Sequence, residues 1–498
     1  MNIFGWLDEA LPELYESGHG RLAWILTELP TAAVAHRYDE ADALAREGLG
    51  LARSLGARWI EVYLRHWHLQ ARHSRGEGEV ALADAIAALD AAHQEETRGC
   101  PQAICTVQDV AICYARTDAV GWAPERLAVA EEALSSINPN WPCFACLTAE
   151  RAAALTDLGR PAEAMAALDE THAAMDGRHS EEFTTIVSRL EALLALGRYD
   201  ECTRAADNFV KADTDPDHEA RRIEARTRSA YALASVSEHA VAARVLPPAE
   251  TIARSDMRWW SRAARLLVAA GAMPNDPALG ASLRRMVGAL EELGSWRDGV
   301  EVALVHGELA VDRGRRFVAA EAARTARRLA SHLREPGSVG GGLAALDEQV
   351  ASLVADTDLP RAPEELLAAF DAEDERDPKA EHDPEADVDL LAAAHDRWPG
   401  HPAVGARFAA ALLAAGNRTD AVDVLDGIVT RAPGEHEAAR FLVELRLDEN
   451  DEAEVTALAA RLRASAPTLA TWLLARHEYQ RANWTECIAR CRELLALE

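Results

Sequence analysis

At 498 residues, 49% hydrophobic and only 5% aromatic, the chain can bury more than one ordinary core, or grow past single-core size as an array of repeats. A formal net charge of -30 argues against a surface built for general nucleic-acid or anionic-membrane binding, because both need a basic long-range field. Ala, Leu, Arg and Glu dominate and Val/Ile/Thr-rich runs are missing, so strands have little to be built from and an all-α protein is expected.

The start, Met1 to Glu9, has neither a basic n-region nor an apolar h-region, so a cytoplasmic protein is expected. No apolar stretch approaches the length of a membrane span without a charge. Lys occurs only at Lys211 and Lys379, so nearly every positive charge is a guanidinium. In a reducing compartment the eight Cys are expected as thiols, metal ligands or redox groups before structural disulfides.

Along the chain a phrase of a small residue, Gly, three further residues, an acidic residue and Ala recurs at intervals of roughly 35 to 43 residues, the period range of helical hairpins. It reads Leu158 to Ala164, Leu196 to Cys202 and Ala415 to Ala421, with looser copies at His36–Ala41, Ser237–Ala242, Gly314–Ala319 and Asn483–Cys487. Gly ends one helix, and the acidic residue enters the first turn of the next, where the helix dipole favours it. The small residue five places after Gly lets the two helices approach. Hinges therefore fall near Arg37, Arg75, Asp118, Gly159, Gly197, Ser237, Gly271 and Gly314, then Gly416, Glu449 and Asn483. Before them run helical stripes such as Leu64, Trp67, Ala71; Val107, Val110, Ala111, Tyr114; Trp260, Ala263, Ala264, Leu267; and Trp472, Ala475, Tyr479.

The pattern breaks after Glu335. Pro336 to Gly342 reads as a loop, followed by a helix from Leu343 to Val354 and a short one around Glu364 to Phe370. Asp371 to Glu385 carries many acids, two Pro and almost no apolar residue, so it reads as a linker. The expected organisation is a repeat array over 1–335, an irregular segment with short helices and the acidic linker over 336–386, and further repeats over 387–498.

These residues resemble the tetratricopeptide repeat (TPR) family. Trp260 to Gly271 and Trp472 to Asn483 match its first-helix half, and Gly159 to Ala164 and Gly416 to Ala421 its second. The resemblance covers most of 20–335 and 387–498. Turns at His36, Arg75 and Asp118 lack the Gly, and the period drifts above the family's roughly 34 residues. It implies a superhelical array of antiparallel hairpins in which the first helices line a concave groove.

Chemistry is sparse. A Walker-type phosphate loop, a dinucleotide fingerprint, His-Glu-x-x-His and Gly-x-Ser-x-Gly are absent from the sequence. The densest cluster is Cys100, Cys105, Cys113, Cys143 and Cys146. Cys105 and Cys146 share a position at the starts of neighbouring first helices, with Cys100 and Cys143 just before them. Cys100, Cys105, Cys143 and Cys146 are therefore candidate zinc ligands, with buried thiols and a redox pair as the competing readings; no other cofactor is expected.

Two further sets point at a partner. The helix from Glu61 to His73 holds His66, His68 and His73 around Trp67, and its register turns Arg65, His66 and His73 toward the groove. Arg254, Arg258, Arg262 and Arg265 fall on one helix face, with Arg228 and Tyr231 at comparable positions of the preceding first helix. Such a row is answered either by acids of the same chain or by a partner's carboxylates, which bidentate Arg pairing orients. The expected function is a non-enzymatic adaptor that binds a peptide or protein segment, acidic ones suiting the Arg row, without nucleic-acid or membrane binding. A metal- or thiol-dependent regulator or enzyme accessory built on the Cys cluster is one alternative. A self-associating scaffold, forming a homo-oligomer through apolar faces left on terminal repeats, is another.

Overall fold

The computed structural model describes residues 3–497 apart from 36, 98–99, 101, 142, 175–178, 213–218, 249–250, 253–257, 354–358, 375–382 and 433–434. Among the described residues there are 26 α-helices and no β-strand. In order they are α1 (Ile3–Glu16), α2 (Gly20–Val34), α3 (Tyr38–Leu55), α4 (Arg58–Arg75), α5 (Glu79–Ala92) and α6 (Gln102–Asp118). Next come α7 (Ala123–Ser135), α8 (Phe144–Asp157), α9 (Pro161–Ala174), α10 (His179–Ala195), α11 (Tyr199–Ala212), α12 (Glu219–Ser235), α13 (His239–Val245) and α14 (Arg258–Ala272). They are followed by α15 (Leu279–Glu292), α16 (Trp296–Asp312), α17 (Arg316–Ala330), α18 (Gly337–Ser352), α19 (Pro363–Asp374) and α20 (Pro384–Arg397). The remainder are α21 (Pro402–Ala414), α22 (Arg418–Arg431), α23 (His436–Glu449), α24 (Glu452–Leu462), α25 (Pro467–Gln480) and α26 (Trp484–Leu497). None is long and apolar enough to cross a membrane.

The hinges work as the repeated phrase predicts. At Gly159 the amide bonds Thr156 O and the next amide, of Arg160, bonds Leu155 O, which satisfies two carbonyls left open at the end of α8. The same pair of bonds recurs at Gly197, Gly294, Gly314 and Gly416, each with φ between 66° and 85°. Ser237, Asn450 and Ala482 take the same left-handed conformation without Gly (φ 65°, 53° and 57°), at a steric cost that glycine avoids. Five places on, Ala164, Cys202, Ala242, Ala319 and Ala421 are all completely buried, so the two helices of each hairpin close over a small side chain.

Gly271 is different. It lies inside α14, and a Cβ there would come within 2.1 Å of His239 Nδ1. Its role is close approach to α13, and the turn falls beyond Ala272. The run after Pro336 is also helical, since α18 starts at Gly337. Packing overrides the poor helix propensity of glycine there. Val339 and Leu346 are buried, and a Cβ on Gly342 would sit 3.0 Å from Leu304 Cδ1.

The chain divides into two compact units, 1–275 with 285–306 and 322–346, and 276–284 with 307–321 and 347–498. In the first, α2, α4, α6, α8, α10, α12 and α14 pack side by side, and α2 to α12 of this row each pack on the helix that follows, α3, α5, α7, α9, α11 and α13. This row curls back on itself. Gly78 N donates to Leu293 O (2.8 Å), Glu79 N to Gly294 O (3.2 Å) and Ser295 Oγ to Gly76 O (2.9 Å). Trp296 Nε1 donates to Glu79 Oε2 (2.6 Å), and a Cβ on Gly78 would strike Gly294 O at 2.6 Å. The seam is locked by Asp118, wholly buried, which accepts from the Arg297 guanidinium and from Glu335 N (2.9 Å).

The second unit has one continuous core, in which Ala310, Val318 and Ala319 pack with Leu366, Phe370, Val388, Leu391, Val404, Phe408 and the residues of α22 to α25. The units therefore do not divide at 336–386. The reason is that α17 contributes its apolar start to the later helices, and Asp389 Oδ1 accepts from Phe317 N and Val318 N (2.7 and 3.2 Å). Residues 375–382 of the expected linker lie outside the described residues. Its end is docked: Asp383 lies 3.5 Å from Arg313 and caps α20 by accepting from Glu385 N, while Glu385 is 1% exposed and faces Arg284. At the last hairpin Ala475 is buried, but Trp472 and Tyr479 are exposed, and α26 buries no residue, leaving Trp484, Ile488 and Leu495 on an open apolar face.

Candidate functional site

The arginine row is largely answered from within. Arg228 Nη1 meets Glu191 of α10 (2.9 Å) and its Nε meets Glu224 (3.4 Å). Tyr231 hydrogen-bonds Glu301 of α16. These partners correct the expectation that Arg228 and Tyr231 stand ready for a ligand. Arg262 is exposed and Arg265 half-buried, and neither makes an ion pair among the described residues. The side chain of Arg258 lies outside the described residues.

Around Arg228 the inward faces of α6, α8, α10, α12 and α16 carry a charge network. Arg126, 2% exposed, binds Asp157 (2.5 Å), faces Glu150 (3.5 Å) and donates to Ala119 O. Burial, reinforced by Arg228, lowers Arg116 to about 10. Burial, with Asp157 nearby, raises Glu301 to about 7. A carboxyl whose folded pKa lies above its unfolded value of about 4.3 contributes stability that is complete below that value and lost as pH rises through about 7. Glu301→Gln, which keeps a partner for Tyr231 without ionising, should gain on the parent as pH rises from about 4 to 8, melting higher at pH 8 and with it at about pH 4.

His66 and His73 are also not open to a groove. They are 7% and 4% exposed, packed against α6, where Asp109 is completely buried. His66 Nδ1 lies 2.9 Å from Asp109 Oδ2, and Gln70 Nε2 donates to Asp109 Oδ1 (2.7 Å). His73 is 3.4 Å from Cys113 Sγ. One buried carboxylate sets the two imidazoles apart. His66 is raised, since the Asp109 charge and hydrogen bond outweigh its burial, and burial pushes His73 down to about 4.

All eight cysteines are free thiols. Among the described residues no three His, Cys, Asp or Glu side chains converge to hold a metal ion, which corrects the zinc expectation for Cys100, Cys105, Cys143 and Cys146. Cys100 is the outlier: it packs with Val62 and Ala92 and points to Trp59 O and Gln102. Cys105, Cys143, Cys146 and His66 lie near enough to act on one another electrostatically. The hydrogen bond to Cys143 raises Cys105, and the same bond, aided by His66, lowers Cys143.

A cavity of about 550 Å³ opens between α3, α4 and α5, lined by Asp42, Arg46, Leu49, Arg53, Arg65, His68, Leu69, Arg72, Arg75, Glu77, Asp84 and Ala87. Helical spacing places Asp42, Arg46, Leu49 and Arg53 along one side of α3, and Arg65, His68, Leu69 and Arg72 along α4. Some of its charges are matched. Asp42 takes His68 and Arg75 (both 2.8 Å), and Arg72 takes Glu77 (2.6 Å) and Asp84. Arg53 reaches Glu61 only at 3.7 Å. Arg46 and Arg65 have no ion pair among the described residues, and the Nε of Arg65 is buried without a hydrogen-bond partner. Of the sequence-predicted residues only Arg65 lines this cavity. Arg46, Arg53, Arg72 and Arg75 were missed, although the four-residue spacing of Asp42 and Arg46 on an amphipathic helix was visible.

No protein-family model matches the chain, and no curated protein does. Among solved structures the chain is similar to a Rap protein complexed with competence and sporulation factor, at 16% identity and a TM-score of 0.37 over 66% of this chain and 99% of that one. It is also similar to Naa15/Naa10 bound to HypK-THB, at 13% identity and a TM-score of 0.24 over 99% of this chain and 75% of that one. The class defined by the fold itself is an all-α array of antiparallel helix hairpins.

Proposed function

We propose that the protein is a non-enzymatic adaptor of the tetratricopeptide type that holds an acidic peptide or protein segment, and that the arginine-lined cavity between α3, α4 and α5 receives its carboxylates. The observation that carries this reading is the coincidence of a cavity with guanidinium groups that no acid among the described residues pairs with, Arg46 and Arg65. In a protein of net charge -30 acids outnumber bases, and arginines such as Arg72, Arg75, Arg126 and Arg228 have acidic partners, so unmatched ones beside a cavity mark where an external anion gains most. A guanidinium fork binds a carboxylate through two parallel hydrogen bonds, which fixes orientation as well as affinity. Leu49, Leu69 and Ala87 offer apolar wall to the methylenes of a Glu side chain.

The test is calorimetric titration of the full chain with a synthetic Glu-rich peptide and its Gln-rich counterpart. The Glu peptide should bind and the Gln peptide should not. Arg46→Glu with Arg65→Glu should weaken binding at least about tenfold, or about 1.4 kcal/mol. Melting should barely change, because neither arginine makes an ion pair among the described residues. Equal binding of both peptides, or an unaffected double reversal, would remove the cavity from the account.

A further inference from the structure

The second unit carries a surface of different chemistry. Its hairpins bury their second helices well: Ala421, Val422, Leu425, Ile428 and Val429 in α22, and Val455, Leu458, Ala459 and Leu462 in α24. The helix α26 holds the same place in the hairpin after α25, yet it buries none of its residues. It packs on α25 with the side that carries the half-buried Cys487, Arg490 and Leu494. Trp484, Ile488, Cys491 and Leu495 lie on another side and are exposed. Their steps of four, three and four residues are the spacing of a seam between two helices. Tyr479 of α25 continues the patch, its ring edge-on to Trp484 at 5.5 Å between centroids, and Trp472 lies two turns before Tyr479 on the same side of α25.

We propose that a second copy of the chain covers this face, the two α26 helices packing antiparallel across a two-fold axis. The stripe itself selects a copy. Steps of four, three and four read the same in either direction, so an antiparallel copy meets it in register, Trp484 against Leu495 and Ile488 against Cys491. The area is sufficient. Trp472, Tyr479, Trp484, Ile488 and Leu495 are 38% to 72% exposed. That leaves roughly 600 Å² of apolar side chain open on each chain, the upper limit of a monomer's largest patch. Two such faces bury about 1,200 Å², the lower bound of a specific, stable interface. Charge permits the approach as well. The chain carries -30 overall, but Trp484 to Leu497 holds two Glu and two Arg. Both Glu are already taken, Glu486 and Glu493 lying 2.9 and 3.1 Å from Arg490. Two copies therefore meet here without the repulsion that the net charge imposes elsewhere.

The experiment is sedimentation equilibrium of the reduced full chain from about 0.5 to 50 µM, the range in which an interface of this size dissociates measurably. The expected result is a monomer–dimer equilibrium that reaches the mass of two chains at the upper concentrations. Ile488→Glu with Leu495→Glu should weaken it at least about a hundredfold, because each replacement enters a two-fold interface twice and buries a carboxylate against apolar surface. Both positions are exposed in the single chain, so its melting should not change. Arg46→Glu with Arg65→Glu should dimerise like the parent, which separates this result from the fate of the arginine cavity. Cys491 lies on the seam, so its alkylation by a maleimide should slow at least about fivefold as the dimer forms. The unaltered chain decides the matter even if a variant misfolds. The mass of one chain at every concentration, association that leaves Cys491 equally reactive, or growth beyond two chains, which a closed two-fold forbids, overturns the proposal. So does a dimer that survives the double replacement.

Discussion

Asp118→Ala is expected to destabilise the first unit by about 3–5 kcal/mol, the usual cost of leaving one member of a buried ion pair without its partner. Asp118 is completely buried and holds three elements at once: its own helix α6, Arg297 after the turn at Gly294, and the backbone amide of Glu335 before α18. Its loss leaves the Arg297 guanidinium, 8% exposed, without that carboxylate. The check is urea denaturation, reading the lower-midpoint transition, since two compact units need not unfold together. Asp118→Ala combined with Arg297→Met should recover part of the loss, because the stranded charge goes with it. A single replacement that costs under about 1 kcal/mol would mean that the seam is held by the bonds at Gly78, Glu79 and the Ser295 hydroxyl without help from Asp118.

The second large effect belongs to the other unit. Arg284 is 8% exposed and stands between Glu321 (2.8 Å) and Glu385 (3.7 Å), the latter 1% exposed. Arg284→Ala removes the cation shared by two acids and should cost about 3–5 kcal/mol. Gly280 leaves the space that Glu385 fills, since a Cβ there would fall 2.0 Å from Glu385 Oε2. Arg284→Ala should therefore also free the start of α20, seen as faster proteolysis near Asp383 to Glu385. Unchanged melting and cleavage would show that α20 is held by its apolar face, Val388 and Leu391, without help from the buried charges.

Local rules made the hinges readable. The Gly turn, the acidic residue and the small residue that follows all act within one hairpin, and the left-handed Ser237, Asn450 and Ala482 show that the turn persists where Gly is replaced. What failed depended on neighbours far along the chain. The acid that answers Arg228 is 37 residues away at Glu191, and the one that engages Tyr231 is 70 away at Glu301. His66 looked like a groove residue because its partner, Asp109, lies on the next first helix, 43 positions on. The same distance problem hid the role of Gly271, which is set by His239. The Cys cluster was half legible: register placed Cys105 and Cys146 at the starts of neighbouring first helices, but the chain before α6 carries Cys100 off to Trp59. The arginine cavity escaped because it lies between hairpins, while the repeat phrase describes the inside of one.

In the proposed function the arginines Arg46 and Arg65, between α3 and α5, receive the partner. Hydrogen exchange of the full chain with and without the Glu-rich peptide tests it most directly. Protection should rise in Tyr38–Leu55, Arg58–Arg75 and Glu79–Ala92, and Arg46→Glu with Arg65→Glu should abolish that rise. Protection confined to Arg258–Ala272, with α3 to α5 unchanged, would contradict the claim and return the site to Arg262 and Arg265.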